Sequence, residues 1–420
     1  MAEPGDGAGR LVIRPMRAGD DIDAELDLRH RAFGPMGPAE LAHWATEVRA
    51  CIDDGRQFGV WSGGRLIGAA RINDMRQWWR GRAQPMAGVA GVKVAPEARG
   101  LGVGRALMRA LLDEIAARGY PLSVLYPATA HLYRSLGWEM AGGHYRIRVP
   151  GRSLGALLPP DPAVPASPDP AGLASGAAAG RPRLRRAGPA DAEELVTVLG
   201  AVHAATLACG PCTWDVGSAR RWLARPDLFA YLAGDGFVGY GWHRDDDDEI
   251  NVRYLHAASP GTARALWGLV ASHSSVTEVV HAAVGPADPI SWLVREPDVA
   301  LRRHRQWMLR VVDAGAAIAA RGFPASARVS VPLLLADPDR PANAGPRTLT
   351  VADGAGTLVA GQLAPGALPI RLGPRGFAAL FSGVPMGTLR AAGLAVGGDA
   401  AADEALDAAF GGRPYLIDYF

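Results

Sequence analysis

Residues 88–119 read GVAGVKVAPEARGLGVGRALMRALLDEIAARG, and this stretch decides the fold of the chain. The apolar residues from 89 to 95 predict a buried strand, Pro96 ends it, and a glycine-rich turn then precedes an amphipathic helix. The glycines of the turn are Gly100, Gly102 and Gly104. Such a turn points several main-chain N–H groups outward where the helix begins, and the positive end of the helix dipole lies behind them. The stretch therefore predicts a site for a phosphate or pyrophosphate.

The residues between the glycines distinguish three kinds of phosphate-binding loop. A Walker P-loop requires Lys and then Ser or Thr after its last glycine, whereas Arg105 follows Gly104. The G-x-G-x-x-G/A pattern of dinucleotide-binding folds also fails, because its last position holds Arg105 or Leu107. The third pattern, Arg/Gln-x-x-Gly-x-Gly/Ala, is satisfied by Arg99, Gly102 and Gly104. The loop thus resembles the pyrophosphate loop of the GNAT superfamily of acetyl-CoA-dependent N-acetyltransferases; the alternative is a glycine turn that serves only close packing.

The composition of the whole chain limits the classes of function. Its 420 residues predict roughly two to four domains. Lys and Arg number 44 and Asp and Glu 42, which gives a net charge of +2 and no overall field to attract nucleic acid. No stretch approaches the roughly 20 apolar residues of a membrane-spanning helix, and the 3 cysteines are too few for a disulfide framework. We expect a cytoplasmic protein with no nucleic-acid partner and no membrane span.

Two short polar motifs have a structural and a chemical interpretation. Cys209 and Cys212 form C-G-P-C. In a redox site this motif would lie between a strand and a helix. In a zinc finger it would need a second pair of ligands. Here the motif lies between two helical patterns, so we predict a turn between helices, with a redox role as the alternative. The run Asp245 to Asp248 predicts a solvated hairpin tip, with metal binding as the alternative. We expect no metal cofactor.

Predicted elements surround the glycine loop in a recognisable order. Before it, the sequence predicts a strand at 11–14, two amphipathic helices and a β-hairpin. Trp78 and Trp79 fall in the next connection, where they either fill the core or contact a ligand. After the loop helix come a strand, a short helix that contains Tyr133, and a last strand. This order is that of a complete GNAT domain, which we assign to residues 1–150.

The rest of the chain divides into a linker and two further units. Residues 151–182 are rich in Pro, Ala, Gly and Ser and predict a linker. Residues 183–312 repeat the element order of the first unit, but Ser-Pro-Gly-Thr at 259–262 stands at the loop position. Without the loop glycines the backbone cannot approach a pyrophosphate closely, so we expect this copy to be catalytically silent. Residues 313–420 combine predicted strands and helices, as in an α+β layer.

The chain thus has two GNAT-like units, followed by a unit similar to a sterol carrier protein domain. Over its full length it resembles the Eis-like (enhanced intracellular survival) N-acetyltransferases. The expected fold class is α/β (α+β), with tandem GNAT domains and a sterol-carrier-like C-terminal domain. The resemblance implies acetyl-CoA as cosubstrate and a homo-oligomer, usually a hexamer in this family. It also implies a catalytic Tyr133, in HLYRSLGW, and a free α-carboxylate on the last residue, Phe420, that reaches the active site. The implied acetyl-CoA-binding residues are Val92, Val94, Arg99, Gly100, Gly102, Gly104 and Arg105.

The chemistry of acyl transfer explains these residue types. Charge develops on the thioester carbonyl oxygen when the amine attacks, and the main-chain N–H of Val92 can receive it. A tyrosine with a pKa near 10 is protonated at neutral pH and can supply the proton that the leaving thiolate needs. A terminal carboxylate is a weak base unless burial raises its pKa or a water molecule relays the proton. The alternatives are a core aromatic role for Tyr133 and a frayed terminus at Phe420.

The predicted acceptor pocket departs from the family pattern. Family members that acetylate aminoglycosides, which are polycations, place acids around a wide pocket, whereas the loop AFGPMGP at 32–38 carries none. Asp418 and Glu25 are the acids that could compensate. Three aromatic residues predict a more apolar substrate pocket: Phe33, Trp44 and Tyr126. We therefore predict an N-acetyltransferase acting on a small-molecule amine, aminoglycoside-like or other, or on a lysine side chain, by direct transfer in a ternary complex. The alternative is a lipid or hydrophobic-ligand binder that uses the C-terminal domain and lacks efficient transferase activity.

Overall fold

The computed structural model describes residues 10–157, 182–242, 249–294 and 299–420, and its helices and strands form three consecutive parts. The strands of the first part are β1 (Val12–Pro15), β2 (Gln57–Ser62), β3 (Arg65–Trp79), β4 (Arg82–Val94), β5 (Leu122–Leu125) and β6 (Glu139–Pro150). Its helices are α1 (Ile22–Phe33), α2 (Pro38–Asp53), α3 (Val103–Ala117), α4 (Ala130–Arg134) and α5 (Gly151–Leu154).

The second part begins with β7 and ends with β13. Its strands are β7 (Arg185–Ala187), β8 (Cys209–Trp214), β9 (Phe229–Ala233), β10 (Gly236–Trp242), β11 (Glu249–Ala257), β12 (Val279–Val284) and β13 (Ala300–Val311). Its helices are α6 (Ala192–Ala205), α7 (Val216–Leu223), α8 (Pro260–Ala271) and α9 (Ile290–Leu293).

The third part has a separate sheet. Its strands are β14 (Val329–Leu335), β15 (Gly345–Ala352), β16 (Ala355–Ala360), β17 (Ile370–Leu372) and β18 (Ala395–Val396), in the order β16-β15-β14-β17-β18. Its helices are α10 (Ala314–Ala320), α11 (Pro374–Phe381), α12 (Met386–Ala391) and α13 (Ala400–Phe410). This part is the α+β layer that the sequence predicts.

A single sheet joins the first two parts in the order β1-β2-β3-β4-β5-β13-β6-β12-β11-β10-β9-β7, with β8 paired to β3. β4 and β5 are parallel, as are β11 and β12 at the equivalent place in the second part. The last strands are exchanged: β13 pairs with β5, β6 pairs with β12, and β6 and β13 pair with each other. Residues 1–150 therefore hold the predicted order of elements, but residues 300–311 complete their share of the sheet.

Helix α3 packs on β3 and β4 through one apolar face, as the spacing of its residues predicts. Its buried residues are Val103, Leu107, Met108, Leu111, Leu112 and Ile115. At roughly 1.5–3 kcal/mol for each fully buried large apolar side chain, this face fixes the position of the helix. The glycine turn at its N-terminus is consequently held at the end of β4.

The prediction of a turn between helices at C-G-P-C is wrong. Residues 209–214 form β8, which pairs antiparallel with the end of β3, so that Cys212 lies opposite Gln77 and Trp214 opposite Met75. The reason is tertiary: β3 continues past β2 and leaves an edge that β8 covers. Cys209 and Cys212 are free and buried, and burial raises the pKa of the Cys212 thiol well above its usual value. The thiolate that redox exchange requires is therefore disfavoured at Cys212.

Trp78 and Trp79 also differ from the prediction, because they end strand β3 rather than lie in a connection. Trp79 is fully buried, packs edge-on against Phe381 of α11, and faces the guanidinium of Arg321 at 4.8 Å. The Trp78 indole N–H donates to the hydroxyl of Thr213 in β8 (3.3 Å). Both tryptophans join parts of the chain, as the core-filling interpretation requires.

The predicted linker begins later than residue 151. Residues 151–154 form α5, and its Leu154 and the following Leu157 are buried in the core of the second part against α8. The other predicted linker residues, 158–181, lie outside the described residues. So does the acidic run Asp245 to Asp248.

The third part docks on the shared sheet through α11, which packs on β6 and β13. A buried ion pair fixes this junction: both Asp337 carboxylate oxygens accept from Arg310 Nη2 of β13 (2.6 and 2.8 Å), and Asn343 Nδ2 donates to the same carboxylate (3.1 Å). The Arg310 Nε–H also donates to the carbonyl of Leu136 (3.0 Å). One apolar core runs from β4 and β5 into the third part, and Phe420 at the C-terminus packs against Gly88 of β4.

Candidate active site

The site begins where β4 and β5 separate. β4 carries a bulge at residues 91–92, since Arg71 of β3 faces Ala90 while Ala69 faces Lys93, and Gly91 adopts a φ of 59°. The parallel pairing of β4 with β5 ends at Val89 and Leu125. Beyond that point the main-chain groups of β4 that face β5 have no strand partner. This opening exposes the backbone of Val92 and Val94, two of the predicted acetyl-CoA residues.

The glycine loop has the geometry of an anion site. Gly100 and Gly102 both have φ of 79°, a left-handed conformation that favours glycine, and a Cβ at either position would meet open space. Gly102 is the N-cap of α3 and provides no side-chain cap, while the first helical hydrogen bond runs from Ala106 to Gly102 (3.0 Å). The N–H groups of 102–105 therefore precede the helical ladder. Arg99 and Arg105 are exposed beside them, and this set fits a pyrophosphate.

The equivalent helix of the second part is closed to an anion. The N-cap of α8 is Ser259, whose hydroxyl accepts from the N–H of Thr262 (3.3 Å), and the Thr262 hydroxyl donates in turn to the carboxylate of Asp235. A side-chain cap and a carboxylate thus stand where the first copy has an uncapped glycine turn. This arrangement supports the expectation that the second copy is catalytically silent.

A cavity of about 590 Å³ opens between the separating strands. Its lining combines predicted residues with residues that the sequence interpretation missed. The predicted ones are Phe33, Val92, Tyr126, Tyr133 and Phe420. The additional ones include Arg303, Arg305 and Gln306 of the exchanged strand β13. The basic run LRRHRQ at 301–306 was the available signal for them, but only the exchange of β13 brings them here.

Two tyrosines line this cavity, and they differ in their surroundings. Tyr133 is 5% exposed, and burial raises its pKa to about 12. It is therefore protonated throughout the neutral range. The Tyr126 hydroxyl donates to the main-chain carbonyl of Asp418 (2.7 Å), and its ring packs against Phe420 at 5.8 Å. Burial raises the pKa of Tyr126 well above 10, with a smaller contribution from Asp418. Tyr126 holds the C-terminal segment, and Tyr133 faces the opening.

The C-terminal segment reaches the site along both GNAT-like parts. The N–H of Leu416 donates to Gly143 of β6 (3.0 Å), and the N–H of Tyr415 donates to Cys209 of β8 (3.1 Å). Phe420 then packs on β4 so closely that a Cβ on Gly88 would lie 2.9 Å from its ring. The segment therefore has a defined path, and its last residue lies on the strand that forms the opening.

Asp418 is the most strongly held residue of this segment. Its Oδ1 accepts from the Trp214 indole N–H (2.6 Å) and from the Tyr254 hydroxyl (2.9 Å), and the side chain is buried. Burial raises the pKa of Asp418 to about 6, against the opposite effect of these two hydrogen bonds. The carboxyl group consequently changes charge close to neutral pH.

A second cavity, of about 170 Å³, lies on the other side of the C-terminal residues. Tyr419 and Phe420 line both cavities and so separate them. The second cavity is bounded by α2, β3, β8, α7 and β11. Its lining residues are His43, Glu47, Arg71, Asn73, Asp74, Met75, Trp214, Ser218, Trp222, Tyr254, Asp418, Tyr419 and Phe420.

Two residues proposed for the substrate pocket lie elsewhere. Trp44 packs with Met16, Val48 and Ile52 between α2 and the start of the sheet, and it lines neither of these cavities. Glu25 is fully buried, where it forms an ion pair with Lys93 of β4 (2.6 Å). Glu25 therefore braces the bulged strand and does not supply a free acid to a pocket.

In the described part of the chain no three His, Cys, Asp or Glu side chains are grouped so as to hold a metal ion. None of the described helices is both long and apolar enough to cross a membrane.

Three segments of the chain match models of protein families. Residues 12–141 and residues 213–311 each match an acetyltransferase (GNAT) domain, and residues 314–417 match a sterol carrier protein domain. The three matches fall on the three parts of the structure in the predicted order.

Known proteins are similar to this chain over most of its length. A crystal structure of a GCN5-related N-acetyltransferase from Kribbella flavida shares 40% identity with a TM-score of 0.87, and covers 99% of this chain and 100% of that one. An uncharacterized N-acetyltransferase of Streptomyces avermitilis is 29% identical over 337 residues, which are 74% of this chain and 76% of that protein. The N-acetyltransferase Eis of Mycobacterium tuberculosis is 26% identical over 302 residues, 69% of this chain and 70% of that protein.

Proposed function

The chain belongs to the Eis-like GCN5-related N-acetyltransferases, and we propose that it transfers acetyl from acetyl-CoA directly to the amine of a small molecule. The observation that carries this proposal is the meeting of two cavities at Phe420, one at the opening between β4 and β5 and one on the far side. Two substrates can meet there without a covalent enzyme intermediate. Acetyl-CoA occupies the first cavity and the amine occupies the second.

Acetyl-CoA is the cosubstrate of GNAT domains, and this chain offers it two sets of main-chain groups. The N–H groups of 102–105 and the side chains of Arg99 and Arg105 bind the pyrophosphate at the uncapped end of α3. The main-chain groups of Val92 and Val94, which have no strand partner on this side of β4, bind along the opening. The N–H of Val92 stabilises the charge that develops on the thioester carbonyl oxygen.

Tyr133 acts as the general acid. It lines the acetyl-CoA cavity from α4, and its raised pKa of about 12 keeps the hydroxyl protonated. The leaving group of acyl transfer is a thiolate, and Tyr133 donates the proton that converts it to a thiol.

The α-carboxylate of Phe420 accepts the proton of the attacking amine, directly or through a water molecule. Its location supports this role, since Phe420 lies between the two cavities and packs on Gly88 of β4. We also propose that the protein assembles as a homo-oligomer, a hexamer as in its family, which mass photometry of the purified protein can measure.

The alternative of a ligand binder without transferase activity is less well supported. Its basis was the sterol-carrier-like part, yet the interior of that part is a packed apolar core that continues into the first GNAT-like part. The proteins that are similar to most of this chain are named as N-acetyltransferases.

The test is an assay of the purified protein with acetyl-CoA and a panel of amines. Thiol release and the mass of the N-acetylated product are measured together, so that hydrolysis is distinguished from transfer. We expect amine-dependent thiol release with a matching product. No release with any amine, together with lipid that co-purifies with the protein, would favour the ligand binder instead.

A further inference from the structure

The second cavity contains an arginine that the chain itself does not neutralise. Arg71 lies on β3 and lines this cavity. Its Nε atom is buried without a hydrogen-bond partner among the described residues. No carboxylate in the described part of the chain lies within ion-pairing distance of its guanidinium. An unpaired, partly desolvated guanidinium is costly, so its retention in a cavity indicates a ligand group that pairs with it.

The neighbouring acids have other partners. Glu47 of α2 lines the same cavity, but Arg221 of α7 donates to both of its carboxylate oxygens, from Nε (2.7 Å) and from Nη2 (3.3 Å). Asp418 receives its hydrogen bonds from Trp214 and Tyr254. The third acid of the lining is Asp74, which alternates to the other side of β3 from Arg71 and interacts with the Tyr120 hydroxyl. None of the three carboxylates pairs with Arg71, so its guanidinium is left with free donors.

The position of Arg71 suits recognition of a substrate group some distance from the reacting amine. Arg71, Asn73 and Met75 alternate along β3 and so face the same side of the sheet. Asn73 lies opposite Gly88, on which the ring of Phe420 packs. Two residues of a strand span about 7 Å. Along β3, the backbone of Arg71 is therefore about 7 Å from that of Asn73, the residue opposite the glycine on which Phe420 packs.

We infer that the acceptor amine also carries an anionic oxyacid group, a carboxylate or a phosphate, which Arg71 binds. The inference rests on the proposed function and specifies its substrate class. A guanidinium presents its N–H donors in a planar fork that matches two oxygens of such a group. The amine then lies toward Phe420 and Asp418, and the anionic group lies toward α2. The acceptor is thus a small zwitterion.

Size and wall chemistry restrict this zwitterion further. A cavity of about 170 Å³ is smaller than the roughly 300 Å³ at which drug-sized ligand sites begin. On one wall Tyr254 packs edge-on against both Trp214 and Trp222, which are tilted against each other. This aromatic wall suits an apolar body between the two charged groups. A polycation would bring further positive charge against Arg71 and is disfavoured. An amino-acid-like acceptor is small, has an apolar body and carries no excess of positive charge, so it meets all three conditions.

The first test uses the unaltered enzyme with matched pairs of amines. L-phenylalanine is compared with 2-phenylethylamine and 4-aminobutyrate with butylamine, O-phosphoethanolamine represents the phosphate arm, and spermidine represents polycations. We expect the anionic member of a pair to have a kcat/KM higher on the order of 10- to 100-fold, the factor that a charge-assisted hydrogen bond gives. The anionic group is identified by comparing kcat/KM for the carboxylate-bearing amines with kcat/KM for O-phosphoethanolamine.

The second test removes the charge. Arg71→Gln should abolish the preference within each pair through a higher KM for the anionic acceptor only, and Arg71→Lys should restore part of it. Arg76→Gln is the matched control, because Arg76 lies on the same strand, is exposed and lines neither cavity. This variant should keep the preference of the unaltered enzyme.

The outcomes separate the inference from the proposed function. Equal or better use of the neutral amines or of spermidine by the unaltered enzyme overturns the inference while the acetyltransferase stands. An equal loss on both members of each pair in Arg71→Gln also overturns it, since the residue is then only structural. Absence of thiol release with every amine overturns the proposed function itself.

Discussion

Tyr133 and Asp418 are both buried in the site, and burial raises the pKa of each with different consequences. For Tyr133 the rise to about 12 leaves the hydroxyl protonated at every physiological pH. For Asp418 the rise from 3.8 to about 6 brings titration close to neutral pH. The same physical cause thus provides a permanent proton donor at one residue and a pH-sensitive carboxyl group at the other.

Replacing Tyr133 with phenylalanine tests its role as the acid. Because general acid catalysis contributes roughly 10²- to 10⁴-fold, we expect kcat to fall by about 100-fold or more, while the Kd for acetyl-CoA measured by calorimetry stays the same. In the unaltered enzyme no loss of rate from deprotonation of this residue should occur below about pH 10. Tyr240→Phe is the control, since Tyr240 is also buried and its pKa is also about 12, but it lines neither cavity. A Tyr133→Phe enzyme of normal rate would remove this residue from the mechanism.

Asp418 predicts a pH dependence of stability with a definite sign. Its folded-state pKa lies above its unfolded value, so the folded protein binds an additional proton between about pH 4 and pH 6. The cost of burying the charge is present above pH 6 and is relieved as the pH falls. Relative to Asp418→Asn, whose side-chain oxygen still accepts hydrogen bonds, the natural protein should gain about 2–3 kcal/mol of unfolding free energy from pH 8 to pH 4. Urea unfolding at both pH values measures this, and a difference that does not change with pH contradicts the prediction.

At the scale of elements, the loop and helix α3 form one local unit, and for this reason the sequence predicts them well. The proline stop, the glycines and the apolar face of α3 are all encoded within residues 88–119. The bulge of β4 at Gly91, in contrast, depends on its register with β3 and on the buried pair of Glu25 and Lys93. Both the loop and the bulge shape the opening at which acetyl-CoA binds in our proposal.

The glycines of the loop should differ in their tolerance of alanine. Gly102 has a φ of 79°, where a side chain costs about 1–2 kcal/mol, so Gly102→Ala should lower the unfolding free energy by that amount. Gly104 lies within α3, and a Cβ there meets its neighbours at ordinary distances of 3.5 and 3.6 Å. Gly104→Ala should therefore cause no loss. Denaturant unfolding of the two variants checks this, and equal losses would show that backbone conformation does not decide the effect.

The ion pair between α1 and β4 should be among the most sensitive contacts of the fold. Glu25→Gln leaves the Lys93 ammonium buried without a counter-charge, which should lower the unfolding free energy by about 3–5 kcal/mol. Replacing both residues with methionine should recover most of this loss, because no buried charge then remains. The control is Asp27→Asn on the same helix, where the ion pair with Arg31 is exposed and contributes at most about 1 kcal/mol. Similar losses for Glu25→Gln and Asp27→Asn would contradict this prediction.

At the scale of the whole molecule, the site is assembled from all three parts. The first part supplies the loop and Tyr133, the second supplies strand β13 and the partners of Asp418, and the third ends in Phe420. The second copy thus contributes walls to the candidate site. Exchange of β6 and β13 makes the two copies a single sheet.

The same assembly explains which features the sequence could not predict. Loop residues and the order of elements follow from local patterns, and the family resemblance placed Tyr133 and Phe420. Three features depend on contacts between residues far apart in the chain: strand β8, the location of the β13 arginines and the pairing of Asp418. The local sequence does not show where such residues meet. Trp44 differs from the prediction because an aromatic residue on an amphipathic helix fits a small core cluster as well as a pocket. Arg71 was missed because one arginine in a strand has no motif.

In our proposal the free C-terminus takes part in catalysis, in an active site built from all three parts. The most direct measurement compares kcat for the natural chain and for a chain extended by a single glycine after Phe420, with acetyl-CoA affinity and thermal stability measured in parallel. We predict a fall in kcat on the order of 100-fold with both other quantities unchanged, because the extension moves the carboxylate and leaves the aromatic ring. An extended enzyme with the kcat of the natural one would contradict this account.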